Sequence, residues 1–303
     1  MNNFFYRYRG VIYASITALF WGFLSIALKV ALSYMPSFNI VWFRFILAFT
    51  LMFIYIAITQ PKKLTILKKP PILAILAAVG LSFNYIAYIK GLNLTSPNTA
   101  QIIIQIGPIL LGIIGFIIYK ERINKFQMLG FAFAAGGLAL FYFNQIEGLI
   151  EDNINIFNQG FILLVFAALG WVLYAALQKH LLKSFEGHLL NLVIFAVPSI
   201  LFLPFVDFSL FVKMETWQWA IMIFLGLNTI IAYGFLVLAF KYTQVNKVSV
   251  ILSVNPIITF LAMTLLFYME VSWIETSLMG FKAIAGGLLV ILGAIFVIYF
   301  RKN

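Results

Sequence analysis

Residues Asn84 to Glu121 read NYIAYIKGLNLTSPNTAQIIIQIGPILLGIIGFIIYKE. The stretch parses as two apolar segments joined by a short polar turn, LTSPN. The first segment carries Asn84, Tyr88 and Lys90, and the second carries Gln101, Gln105 and Pro108. Each segment is long enough to cross a bilayer as a helix at 1.5 Å per residue. A polar group inside such a segment must find a partner or face a wet cavity. A second copy of the latter part follows as AFKYTQVNKVSVILSVNPIITFLAMTLLFYME, from Ala239 to Glu270.

The rest of the chain has the same character. Its 303 residues are 64% hydrophobic and 10% charged, against roughly 25% charged for a soluble domain. Ten apolar segments are expected to span a membrane: 11–31, 38–59, 72–92, 98–118, 126–145, 160–179, 188–206, 217–239, 245–268 and 277–300. The fold class is therefore all-α and integral to the membrane, with ten transmembrane helices. The joints between spans, such as SYMPS and QPKKLTILKKPP, are rich in residues that make turns. Arg7 and Arg9 precede an apolar run long enough to stay in the bilayer, with no small-residue cleavage motif behind it.

The 20 Lys and Arg against 9 Asp and Glu would suggest nucleic acid as the partner of a soluble protein. Here the basic residues sit in short loops between spans. Alternate connections hold Arg7 and Arg9; Lys62, Lys63, Lys68 and Lys69; Lys120, Arg122 and Lys125; Lys179 and Lys183; Lys241 and Lys247; and Arg301 and Lys302. The opposite connections hold only Lys213 among the basic residues and gather Glu147, Glu151, Asp152, Asp207, Glu215, Glu270 and Glu275. The positive-inside rule then places both termini in the cytoplasm and requires an even number of spans. Membrane lipid, not nucleic acid, is the expected surrounding.

Aligning Pro108 with Pro256 places Thr95 on Thr243, Asn98 on Asn246, Gln101 on Ser249 and Gln105 on Ser253. With two single-residue insertions, Glu121 falls on Glu270 and Gly130, Gly136 and Gly137 fall on Gly280, Gly286 and Gly287. Five spans per repeat, 11–145 and 160–300, force the second copy to enter the membrane upside down. The loop charges agree: YKERINK is basic and its counterpart YMEVSWIE is acidic. Inverted repeats are the architecture of many secondary transporters, with the site near the midplane between the halves.

These residues resemble a known family. Trp21-Gly22, the GLNLTS stretch with its partner AFKYTQ, Pro108 and Pro256, Glu121 and Glu270, and the glycine-rich fifth and tenth spans are similar to the EamA repeats of the drug/metabolite transporter superfamily. The resemblance implies ten helices around a central cavity, lined mainly by spans 3, 4, 8 and 9, with spans 1, 2, 6 and 7 as gates. It implies transport of a metabolite, often outward, and a bacterial inner membrane. It does not name the solute. The match of Gly170-Trp171 to Trp21-Gly22 is loose.

Candidate site residues follow from polarity within spans. Gln101 and Gln105 lie one helical turn apart and share a face, and Ser249 and Ser253 repeat that spacing. They read either as a polar stripe on both sides of a cavity or as helix–helix hydrogen bonds. Pro108 and Pro256 each remove one backbone hydrogen bond, giving a static kink or a gating hinge. Asn84 and Asn228 are too deep to remain unpaired and are candidates for substrate contact. Tyr88, Tyr233 and Trp21 are candidate wall aromatics. Four cations lie within spans: Lys29, Arg44, Lys90 and Lys282. They either snorkel to headgroups or face the cavity, where an arginine grips a carboxylate or phosphate with two hydrogen bonds.

No Asp or Glu falls inside any expected span, which favours facilitation, exchange or driving by a gradient over proton relay through a carboxylate. With no cysteine and two histidines, thiolate metal sites are excluded and no cofactor or metal is expected. An enzyme would need a nucleophile with a base, or a metal cluster, and neither pattern is present. The expected function is a secondary transporter of a small polar metabolite, with an amino acid or related carboxylate first. Phosphorylated or nucleotide-linked metabolites and amphipathic toxic compounds are the alternatives, and an intramembrane enzyme or a membrane sensor is more distant. The oligomeric state is open.

Overall fold

The computed structural model describes residues 2–117, 124–147, 151–276 and 280–299. Glu121, and the acidic-for-basic exchange around it, lie outside the described residues. Thirteen α-helices are present among the described residues, with two short 3-10 turns and no strand. In the first half they are α1 (Asn2–Ala31), α2 (Ser37–Thr59), α3 (Ile72–Asn93), α4 (Pro97–Ile103), α5 (Ile106–Ile117) and α6 (Lys125–Ile146). In the second they are α7 (Glu151–Leu181), α8 (Gly187–Leu201), α9 (Ser209–Val212), α10 (Thr216–Tyr242), α11 (Val245–Leu252), α12 (Asn255–Tyr268) and α13 (Phe281–Tyr299).

Six of these helices are long and apolar enough to cross a membrane: those running through Tyr8–Ala31, Ser37–Thr59, Ile72–Asn93, Asn153–Leu181, Gly187–Phe205 and Thr216–Tyr242. Shorter apolar helices cover Lys125–Phe141, Asn255–Tyr268 and Phe281–Gly293. Ten uninterrupted spans are thus not what the structure contains. The expected fourth and ninth spans are each broken in two. Pro108 has no N–H for the carbonyl of Ile104, and Pro256 has none for that of Leu252. The chain answers by tightening. Gly107 N–H donates to Ile104 O at 2.9 Å, and Ile257 N–H donates to Val254 O at 3.0 Å. The matched prolines therefore produce matched breaks, at Ile104–Gln105 and at Ser253–Val254.

The packing repeats itself between the halves. Helix α1 lies along α10 and α3 along α7; α2 packs on both α8 and α10, and α8 on α3. The broken helices cross, α4 with α12 and α5 with α11, and α6 lies along α13. Exchanging α1 with α7, α2 with α8, α3 with α10, α4 with α11, α5 with α12 and α6 with α13 recovers the same set of pairings. Small residues allow the closest of these approaches. A Cβ placed at Gly137 of α6 would lie 2.5 Å from the Gly286 carbonyl of α13, so this helix pair meets backbone to backbone. Large side chains fill the centre: Phe45, Tyr174, Phe195 and Phe240 are all nearly or fully excluded from solvent. Many apolar residues remain on the outside, including Ile58, Ile72, Ile200 and Phe281, as a lipid-facing perimeter requires.

Candidate central cavity

At the centre, both halves contribute to one small cavity of about 70 Å³. Trp21 and Leu24 come from α1, Arg44 from α2, and Asn84, Tyr85 and Tyr88 from α3. Gln101, Ile104 and Gln105 come from the first broken helix, and Leu252 and Asn255 from the second. Trp171 of α7 and Tyr233 of α10 complete the described lining. Both helix breaks therefore open onto the cavity.

Arg44 is the one cation in the described lining, and it is only 3% exposed. Its Nε donates to Thr229 Oγ1 at 3.0 Å and one terminal nitrogen to Tyr85 Oη at 3.3 Å. Thr229 in turn donates to Leu225 O at 3.0 Å, so its hydroxyl is fixed as an acceptor toward Arg44. The guanidinium also lies 4.4 Å from the centre of the Tyr85 ring. The ion pairs among the described residues involve Lys63 with Glu186, His188 with Glu186 and Lys282 with Glu147, and none reaches Arg44. A buried cation held only by neutral groups is costly, and an anionic ligand removes that cost.

Aromatic walls surround the arginine. Trp21 meets Trp171 edge to face at 6.0 Å and Tyr233 at 5.3 Å. Tyr233 stands 6.1 Å from Tyr85 and 5.4 Å from Tyr174. Three buried polar atoms of the lining lack a protein partner: Trp171 Nε1, Gln105 Oε1 and Asn255 Oδ1. The Gln105 amide is oriented by its own donor, since Nε2 reaches Gln101 O at 3.0 Å. The cavity thus offers a cation and an indole N–H as donors, with amide oxygens as acceptors.

The structure brings together Trp21, Arg44, Asn84, Tyr88, Gln101, Gln105 and Tyr233. It places four other candidates elsewhere. Asn228 is fully buried, and its Nδ2 donates to the Phe20 carbonyl of α1 at 2.7 Å. Asn84 makes the matching bond in the other half, donating to the Ala167 carbonyl of α7 at 2.8 Å. The two asparagines thus do the same work for opposite halves. Ser249 and Ser253 turn their hydroxyls back onto their own helix, to Val245 O and Ser249 O, each at 3.0 Å. Neither serine is in the described lining, and the second broken helix contributes Asn255 there instead. Gln101 stays at the cavity and also donates to Trp21 O at 2.7 Å. Lys282 is exposed and holds both carboxylate oxygens of Glu147, at 2.7 and 2.8 Å. Pro108 lies within α5 and Pro256 is buried in α12. Lys90 is exposed, 5.0 Å from the Phe38 ring centre.

Sequence reasoning missed Tyr85, Trp171 and Asn255. Tyr85 lies three residues before Tyr88, a helical neighbour on the same face. Asn255 directly precedes Pro256, so it belongs to the break itself.

A family model described as the EamA-like transporter family matches residues 8–143 and 158–299. An uncharacterized transporter of Haemophilus influenzae is 31% identical over 287 residues, covering 94% of this chain and 93% of its own. The uncharacterized inner membrane transporter YhbE of Escherichia coli K12 is 29% identical over 290 residues, covering 95% and 90%. A protein of known crystal structure aligns over 98% of this chain and 100% of its own, with a TM-score of 0.73 and 16% identity, a likeness of fold.

Proposed function

The chain belongs to the EamA-like transporter family, and from that premise we propose that it is a secondary transporter of a small anionic or zwitterionic metabolite, an amino acid or related carboxylate. It works by alternating access, in the outward direction, without enzymatic chemistry. Its ten spans, two of them broken, form two inverted five-span repeats, 11–145 and 160–300. It sits in a bacterial inner membrane with both termini in the cytoplasm. The self-matching pairing of the helices supports two equivalent halves, and the alternation of basic and acidic loops supports the orientation.

Arg44 carries the reading of the solute. It is buried, it lines a cavity shared by both halves, and no carboxylate pairs with it among the described residues. One arginine suits one carboxylate, gripped through two parallel N–H groups. A phosphorylated cargo with two or more charges would want clustered cations, and the described lining holds a single one. The test is counterflow: purified protein in liposomes preloaded with a candidate solute, followed by uptake of the labelled solute. Exchange of one carboxylate class, lost in Arg44→Gln, supports the reading. Exchange that is equally fast in folded Arg44→Gln overturns it.

A further inference from the structure

Lys29 does not snorkel and does not face the cavity. Its ammonium donates to three main-chain carbonyls at the corner between α3 and α4: Leu92 O at 3.2 Å, Asn93 O at 3.1 Å and Thr95 O at 2.8 Å. Lys179 does the same at the corner between α10 and α11, donating to Phe240 O and to Thr243 O, the latter at 3.1 Å. Thr95 and Thr243 are the residues that the internal repeat aligns. The carbonyls at a helix end have no partner within the helix and carry partial negative charge. An ammonium with three donors fits them.

The correspondence extends along both helices. Lys29 lies eight residues beyond Trp21, and Lys179 lies eight residues beyond Trp171, about 12 Å along each helix axis. Trp21 and Trp171 meet at the cavity. Each corner is also touched by the opposite half. A Cβ at Gly160 of α7 would lie 2.6 Å from Thr95, and one at Gly10 of α1 would lie 2.7 Å from Thr243. So α1 presents its glycine to one corner and its lysine to the other, and α7 does the reverse. The two lysines therefore stand at opposite ends of the bundle, with the cavity between them.

We propose that Lys29 and Lys179 are paired positioning residues, each latching the cavity shut at its own end. Each ties a helix that carries a wall tryptophan to the corner from which a broken, cavity-lining helix descends. On the Lys29 side that helix carries Gln101 and Gln105; on the Lys179 side it carries Leu252 and Asn255. Both latches are made in this structure, on either side of the cavity. Opening toward one side releases one latch and keeps the other. The inference rests on the alternating-access reading but not on the identity of the solute.

The chain contains no cysteine, so one introduced thiol reports access to the cavity without background. In Leu24→Cys, a membrane-impermeant thiol reagent is applied to either face of oriented vesicles. Labelling from both faces is expected. Adding Lys29→Met raises labelling from the Lys29 end relative to the other end roughly tenfold, the scale of one lost charge-assisted hydrogen bond. Adding Lys179→Met shifts the ratio by a similar factor in the opposite direction. Lys29→Arg and Lys179→Arg, which keep the charge and donors, restore the parent ratio. If a methionine variant does not fold, the glutamine variant, which keeps a donor, gives a smaller shift in the same direction. Shifts of the same sign from both lysines, or no shift in folded protein, overturn the proposal. Labelling from one face only, whichever lysine is changed, overturns alternating access and the latches with it.

Discussion

The Arg44 guanidinium donates to the hydroxyl of Tyr85 at 3.3 Å and lies 4.4 Å from the centre of the same ring. One tyrosine therefore holds the cation both through its edge and over its face. Thr229 fixes the other side of the guanidinium, leaving its geometry set before any ligand arrives. A preorganised cation of this kind stores a desolvation cost that an anionic solute relieves.

That cost separates stability from function. Arg44→Met replaces an unpaired buried charge with an apolar chain, a change that is often neutral or stabilising. The unfolding midpoint is expected to stay constant or rise, while counterflow falls at least tenfold, roughly the worth of a charged hydrogen bond. Arg44→Lys is expected not to restore transport, because an ammonium cannot reproduce the planar fork. Thermal unfolding and counterflow on the same preparation check both parts.

The asparagine pair gives a second separation. Asn84→Ala and Asn228→Ala each remove a buried bond to the first helix of the opposite half. Each is expected to lower stability by about 1 kcal/mol. Only Asn84 lines the cavity, so Asn84→Ala is expected to change the KM for the solute and Asn228→Ala to leave it within twofold.

The serines are expected to be silent. Ser249 and Ser253 direct their hydroxyl protons to carbonyls of their own helix, bonds that add little to stability. Ser249→Ala and Ser253→Ala should each leave flux within about twofold and stability within about 0.5 kcal/mol. Gln105→Met is expected to reduce flux more, because it removes an unpartnered acceptor at the cavity.

What the sequence disclosed and what it concealed have a common cause. The disturbances at Pro108 and Pro256 were legible as kinks or hinges because a missing N–H acts locally, whatever surrounds it, although the spans that carry them were expected to be continuous. The membrane class was legible because it depends on composition. Which way a helix faces was not. In a chain apolar on every side, polarity does not mark the inner face, so Asn84 and Asn228 looked alike but differ in access. Ser249 and Ser253 matched the glutamines in spacing, yet their short hydroxyls donate only to the backbone one turn back, whereas Gln101 reaches across to Trp21 O and Gln105, whose Nε2 also turns back, keeps an unpartnered oxygen at the cavity. Lys29 left two readings open, the headgroups and the cavity. Its three carbonyl partners lie more than sixty residues away, and no spacing along the chain announces them.

The exposed pair of Lys282 and Glu147 should matter little to transport. The hydrogen bond and charge of Lys282 hold the Glu147 carboxyl below its ordinary value of 4.5. A depressed carboxylate contributes stability that is present above the unfolded pKa and lost as the pH falls through the folded one. The pair therefore stays intact through neutral and mildly acidic pH, and both groups remain largely in solvent. Lys282→Gln is expected to leave counterflow between pH 5 and 7 unchanged. A drop confined to that variant would move Lys282 into the transport path.

Counterflow of amino acids and simple carboxylates in liposomes, with Arg44→Gln beside the unaltered protein, is the most direct measurement of the solute reading. Accelerated exchange of a carboxylate-bearing solute by the unaltered protein, and its loss in folded Arg44→Gln, is the expected result. Exchange that survives the substitution, or exchange confined to solutes without an anionic group, would contradict a site built around Arg44.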